Sequence, residues 1–224
     1  MEQPGWNYCF LLGVIMPWGA VITRDDGSLW LSPDFTPLNF IEKGIIVANG
    51  DAFVTSIPTS KNVIFFINQS ADNYVACQQI EVDGYHALRV NSSYPGTLPI
   101  RVYCFANMAL QPKANYGLYF YNASGELTYS LDMLPLDMRT VAVDISAAGV
   151  KQDMGRPVAV IPTASGRVML PNSSVGGFDV WDLHLGATGN YVINRPRLIA
   201  QGQSGANNYI YIDRAFYIFT DVYD

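Results

Sequence analysis

Short runs of β-branched, aromatic and aliphatic residues recur about every ten positions along this chain, with clusters of Gly, Pro, Asn and Asp between them. That rhythm predicts strands joined by turns. Residues 19–24 and 28–32 flank Asp25-Asp26-Gly27 and predict a hairpin. Residues 44–48 and 52–57, around Asn49-Gly50-Asp51, predict a second, and 74–82 and 85–90, around Asp83-Gly84, a third. Further strands are predicted at 63–68, 100–106, 140–145, 158–162, 167–170, 178–185, 191–193, 198–201, 209–212 and 215–223. No window of eleven residues carries a helical apolar stripe; 111–118 comes nearest, and Pro112 and Gly117 interrupt it. The expected fold is all-β, an antiparallel, hairpin-rich arrangement of β-sandwiches.

Residues 116–130 give the clearest local reading. Two strand-like runs flank Asn122-Ala123-Ser124-Gly125, and Leu118, Phe120, Leu127 and Tyr129 take alternating positions. Asn, Ser and Gly accept the backbone angles of a tight turn, Gly125 at positive φ. The Pro112-Lys113-Ala114-Asn115 segment just before it predicts a boundary between two packed β subdomains, 1–112 and 113–224. Residues 1–50 could instead form an N-terminal hairpin arm.

Residues 209–223 alternate rings and aliphatics almost to the end. A terminal segment is usually frayed and polar. This pattern predicts either a core strand or one docked on another chain, and makes Tyr209, Tyr211, Phe216, Tyr217 and Phe219 the candidate interface residues.

Composition sharpens that picture. Hydrophobic residues make up 50% of the chain and charged ones 14%, against roughly 25% charged in an ordinary soluble domain. Such a chain covers itself with Asn, Ser, Thr and Tyr, buries surface against partners, or does both. Thirteen scattered Lys and Arg against nineteen acids give −6, which argues against nucleic-acid binding. Arg195 and Arg197 straddle Pro196 and are expected to cap a turn or pair with carboxylates. Cys9, Cys77 and Cys104 lie in apolar runs, too few and too far apart for a disulfide framework, and read as buried free thiols. Residues 8–22 are apolar, but no Lys or Arg precedes them and Pro17 interrupts them. They read as a core strand and a bend, without a standard export signal or membrane insertion.

Nothing in the chain marks a catalyst, so the expectation is a protein that is not an enzyme and needs no cofactor or metal. There are two histidines; His184 and Asp182 share a strand face opposite Trp181, Leu183 and Leu185, and read as a surface polar pair, while His86 follows a turn. Gly-x-Ser-x-Gly is absent. The four glutamates suggest no facing pair, and an Asp pair such as Asp179 with Asp182 is all a glycan hydrolase could use. Asp25-Asp26-Gly27-Ser28 and Asn49-Gly50-Asp51 are accounted for as turns, and no bidentate Glu follows at calcium-loop spacing. Trp6, Trp18, Trp30 and Trp181 could stack on sugar rings, with Trp30 and Trp181 the leading glycan-stacking candidates.

Two segments carry a resemblance. Tyr116-Gly117-Leu118-Tyr119-Phe120-Tyr121-Asn122-Ala123-Ser124-Gly125-Glu126-Leu127 resembles a segment of tail-region virion proteins of long-tailed bacteriophages, encoded beside tail-tip and tail-fibre genes. Asp26-Gly27-Ser28-Leu29-Trp30-Leu31-Ser32-Pro33-Asp34-Phe35-Thr36-Pro37-Leu38 is similar to the same group. The likeness spans scattered motifs over residues 1–145, and this chain has Thr128-Tyr129-Ser130 where such segments more often carry a Phe-Asp-Ser-like end. The resemblance implies a structural virion protein of the tail tip or fibre, folded in the host bacterial cytoplasm. It also implies other tail proteins as partners, a homo-oligomer (trimer or ring), and contact with a bacterial surface receptor or glycan. The alternative reading is a carbohydrate-binding β-sandwich module without catalysis.

Overall fold

A computed structural model describes residues 22–23, 29–31, 36–110, 118–146, 148–205 and 207–224. The N-terminal hairpin forms from β1 (Ile22–Thr23) and β2 (Leu29–Leu31). Then come β3 (Asn39–Ile46), β4 (Ala52–Pro58), β5 (Val63–Gln69), β6 (Val75–Val82), β7 (Tyr85–Ser93) and β8 (Ile100–Ala106). The second half supplies β9 (Tyr119–Tyr121), β10 (Leu127–Ser130), β11 (Arg139–Ala142), β12 (Val150–Asp153), β13 (Val158–Val160) and β14 (Ala164–Pro171). It closes with β15 (Phe178–Thr188), β16 (Tyr191–Gln203), β17 (Tyr209–Ile210), β18 (Arg214–Phe219) and a single 3-10 turn, Thr220–Val222. Among the described residues every pairing is antiparallel, and the fold is all-β and sandwich-like.

A six-stranded sheet, β11-β18-β13-β5-β8-β3, is the frame. Successive strand residues face opposite ways, so Phe65 and Phe66, or Cys104 and Phe105, supply both of its faces. Against one face lies the three-stranded sheet β4-β7-β6, and between them sit Ile46, Ile57, Ile67, Leu88, Val90 and Val102. Further along, the five-stranded sheet β12-β16-β15-β14-β17 closes over Val158, Val160 and Ala215 with Leu185, Ala187 and Val192. The opposite face buries Phe66, Tyr103, Phe105 and Ile218, and Tyr223 packs edge-on against Phe105 at 4.9 Å. Strands from both sides of residue 112 are hydrogen-bonded together in the central sheet, through Val160 opposite Ile67.

The Asp83-Gly84 hairpin forms as expected: both residues take positive φ (50° and 84°), as a tight turn between twisted strands requires. The expected hairpin across Asn49-Gly50-Asp51 does not form. The turn is there, but β3 pairs with β8 and β4 with β7, so it hands the chain from one layer to the next. Ile46 and Ile57 enter the same core from opposite layers, and joining their strands in one sheet would leave that core uncovered. Gly44 marks the crossing point: the Phe53 ring lies where a Cβ would be.

Three smaller expectations also shift. The segments 191–193 and 198–201 form one thirteen-residue strand through Pro196. Pro is tolerated there because β12 pairs with β16 only as far as Asn194, so the missing N–H costs no ladder bond on that side. The strand expected at 215–223 stops at Phe219, and the chain turns back so that the Tyr223 hydroxyl donates to Pro135 O at 3.0 Å. In the β9–β10 hairpin a bulge at Thr128 sets Tyr129 opposite Phe120; these two are buried with Met133, whereas Leu118 is exposed.

Candidate functional site

The aromatic tail splits by strand face. Tyr217 and Phe219 sit half-buried against the layer between the central and five-stranded sheets, their rings 5.6 Å apart. Arg139 and Arg156 lie over the Phe219 ring at 4.9 and 4.4 Å. Phe216 points to the other side and is exposed. Tyr209 and Tyr211 are half exposed at the β17 edge of the five-stranded sheet. Trp30 lies in β2, its side chain outside the described residues. Trp6 and Trp18 fall wholly outside them, as does Cys9. Trp181 is half-buried between Val168 and Leu198 on neighbouring strands, and its indole N–H is buried with no partner among the described residues.

The opposite face of the same sheet assembles a polar row. Tyr209 on β17 faces Arg167 on β14, Arg167 faces Asp182 on β15, and Asp182 faces Arg197 on β16. Directly opposed residues share a face, so all four project together. Arg167 grips Asp182 through Nε at 2.7 Å and a second nitrogen at 3.3 Å. This bidentate grip raises the Arg167 pKa further. The Arg197 guanidinium lies 5.9 Å from the Tyr74 ring centre and has no carboxylate partner among the described residues. Tyr74 continues the row to Tyr94, ring to ring at 6.3 Å. Polarity at Asp182 and at the two arginines flanking Pro196 was legible in the sequence, but Tyr74, Tyr94 and Arg167 carry no local signal that joins them to it.

Beside the row, Arg195 holds Asp72 through two nitrogens at 2.5 and 2.7 Å, and Lys151 reaches the same carboxylate at 3.1 Å. The Arg195 hydrogen bonds hold the Asp72 carboxyl below its usual range, against a desolvation effect in the other direction. The expectation that Arg195 pairs with a carboxylate is met; Arg197 instead lies against an aromatic ring.

His184 is opposite Arg195 and beside Tyr74, at 6.3 Å between rings. Burial pushes its pKa down, Asp182 works against that, and its Nε2 is buried without a partner among the described residues. His86 is buried, with Nε2 2.8 Å from Lys61 O and Nδ1 3.3 Å from Gln79. Asp179 accepts from Asn172 at 2.9 Å, and Asp182 belongs to Arg167. Burial raises the Cys77 thiol to about 12 and Cys104 higher still, so both stay protonated. Among the described residues no three His, Cys, Asp or Glu gather to hold a metal ion. No helix among them is long and apolar enough to cross a membrane.

A cavity of about 600 Å³ opens elsewhere, at the β3 edge, lined by Lys43, Ile45, Arg101, Tyr103 and Asp224. Lys43 Nζ donates to Asp224 O at 2.9 Å and the Tyr103 hydroxyl to Asp224 Oδ1 at 2.9 Å, so its acid is already engaged.

Comparison with protein-family models, with curated proteins and with solved structures gave no match.

Proposed function

We propose that this chain is a structural virion component of a bacteriophage tail tip or fibre, working by assembly with copies of itself and other tail proteins and by contact with a host surface. The observation that carries the reading is where the apolar side chains lie. In a chain only 14% charged, large hydrophobics are exposed at strand edges: Ile45 and Val47 at the end of β3, and Tyr209, Ile210 and Tyr211 at β17. Edge strands present unpaired backbone groups, and apolar side chains beside them favour pairing with another chain. Closed symmetric oligomers bury such edges. The likeness of residues 116–127 and 26–38 to tail-region proteins supplies the virion context, and the protein acts there by binding rather than by turnover.

Light scattering on the purified protein tests this. The expected result is a trimer or a larger closed ring of the 24.7 kDa chain. A monomer that persists at high concentration and binds no tail protein on co-expression would overturn the reading.

A further inference from the structure

The polar row across the five-stranded sheet combines two features that a merely solvated surface does not need together. One is an excess of positive charge in an acidic protein. Arg167, Arg197, Arg195 and Lys151 are four cations around two carboxylates, Asp72 and Asp182, whereas the chain as a whole is at −6. The other is flat aromatic surface at both ends, from Tyr209, half exposed at β17, to Tyr74 and the exposed Tyr94.

Spacing makes the row a track. From β17 to β16 there are three strand steps of about 4.8 Å, roughly 14 Å, before Tyr74 and Tyr94 extend it. That exceeds one sugar ring and suits a chain of them. Among the described residues Arg197 is the group without an acid of its own: it offers an edge of N–H donors while the Tyr74 ring lies close by. Arg167, locked to Asp182 by two hydrogen bonds, is held in place, and Asp182 can accept from a hydroxyl. Planar donors and acceptors flanked by aromatic faces match rings that carry both hydroxyls and carboxylates. A nucleic acid would need many more phosphate-neutralising cations than this face holds.

We infer that this face binds an acidic saccharide, a chain of carboxylate-bearing sugars laid across β17, β14, β15 and β16, with Arg197 on a carboxylate and Tyr209 and Tyr74 against ring faces. This deepens the host-surface part of the proposed function: pairing with another chain at β17 uses the strand's backbone edge, whereas the Tyr209 ring projects from the sheet face beside Arg167.

The test is affinity electrophoresis and calorimetric titration of the whole chain with polygalacturonate and with polysialate, against dextran as the neutral polymer and polyglutamate as an anion without sugar rings. The expected result is binding to at least one acidic polysaccharide, weakened by added salt, with little binding to dextran. Arg197→Ala and Tyr209→Ala should each weaken it at least tenfold while circular dichroism stays unchanged. Arg214→Ala, which removes an exposed arginine on β18, should leave it alone. If Arg197→Ala perturbs the fold, Tyr209→Ala, at a half-exposed edge position, decides the matter. Binding to neither acidic polymer, equal binding to dextran, or equal loss in Arg214→Ala would overturn the inference. So would polyglutamate binding as tightly with Tyr209→Ala silent, which would leave a charge patch only. The oligomer measured by light scattering stands whichever way this falls.

Discussion

The β6–β7 and β15–β16 hairpins are built alike and used differently. Both are long antiparallel ladders closed by a two-residue turn containing a positive-φ glycine, Gly84 in one and Gly189 in the other. In β7, Leu88 and Val90 enter the core between sheets while Arg89 between them is exposed. In β15 the same alternation buries Leu183 and Leu185 but sets Asp182 and His184 on the other face, and along β16 burial fades until its last three residues are exposed. One hairpin holds the molecule together. The other is buried at its turn end and opens to the outside along the far part of β16. The same local architecture thus ends in packing or in exposure according to what lies across from each face.

The largest expected effect probes the packing hairpin. Leu88 is 2% exposed and sits among Ile57, Val90 and Val102, so Leu88→Ala removes buried methyls from a site walled by two sheets. It should cost about 3 kcal/mol in urea unfolding, with an unchanged oligomeric mass after refolding. A loss under about 1 kcal/mol would mean the layer collapses around the gap, and the contrast between the hairpins would shrink.

The sequence carried strand positions well because alternation and turn residues are local. The Asp83-Gly84 hairpin and the pairing of Ile22–Thr23 with Leu29–Leu31 followed from spacing alone, as did the free thiols of Cys77, partly buried, and Cys104, buried. Partnership was not local. Nothing within residues 44–57 says that β3 will pair with β8, more than fifty residues on, because both arms of the turn read as strands and the choice rests on which layer covers which. The edge strand β12, Val-Lys-Gln-Asp, has one apolar residue in four and gave no pattern to read. The polar face was half legible: Asp182 with His184, and Arg195 with Arg197, each sit two apart and so on one side. Bringing Tyr74 and Arg167 to them took the fold.

A second, intermediate effect lies at the joint between the two regions, where Asp72 on the loop after β5 is held by Arg195 of β16. Asp72 titrates below its unfolded value because Arg195 hydrogen-bonds its charged form. A depressed carboxylate stabilises the fold above the unfolded pKa and loses that contribution as pH falls through the folded one. Arg195→Ala should therefore cost on the order of 1 kcal/mol at neutral pH, the pair being partly solvent-screened. Its stability deficit against the native chain should close only below about pH 4, where the carboxylate takes up its proton. Thermal unfolding from pH 7 to 2 reads this directly. A deficit independent of pH would assign the loss to the packing of the arginine stem instead.

The smallest effect tests the other half of the comparison. Leu198 on β16 is 39% exposed, opposite Trp181, on the stretch of strand that β12 no longer covers. If that stretch exists for contact and not for the core, Leu198→Ala removes side-chain area that stays largely in water in the isolated chain. Its cost to unfolding should be about 0.5 kcal/mol, a sixth of that at Leu88 although the chemical change is the same. The discriminating measurement is the assembled form. A side chain exposed in one chain but buried between chains should lower the concentration stability of the oligomer while leaving the monomer's unfolding nearly untouched, because the lost apolar area counts only where water has been excluded. A Leu198→Ala chain that unfolds as readily as Leu88→Ala would place the far end of β16 in the core as well and erase the difference between the hairpins.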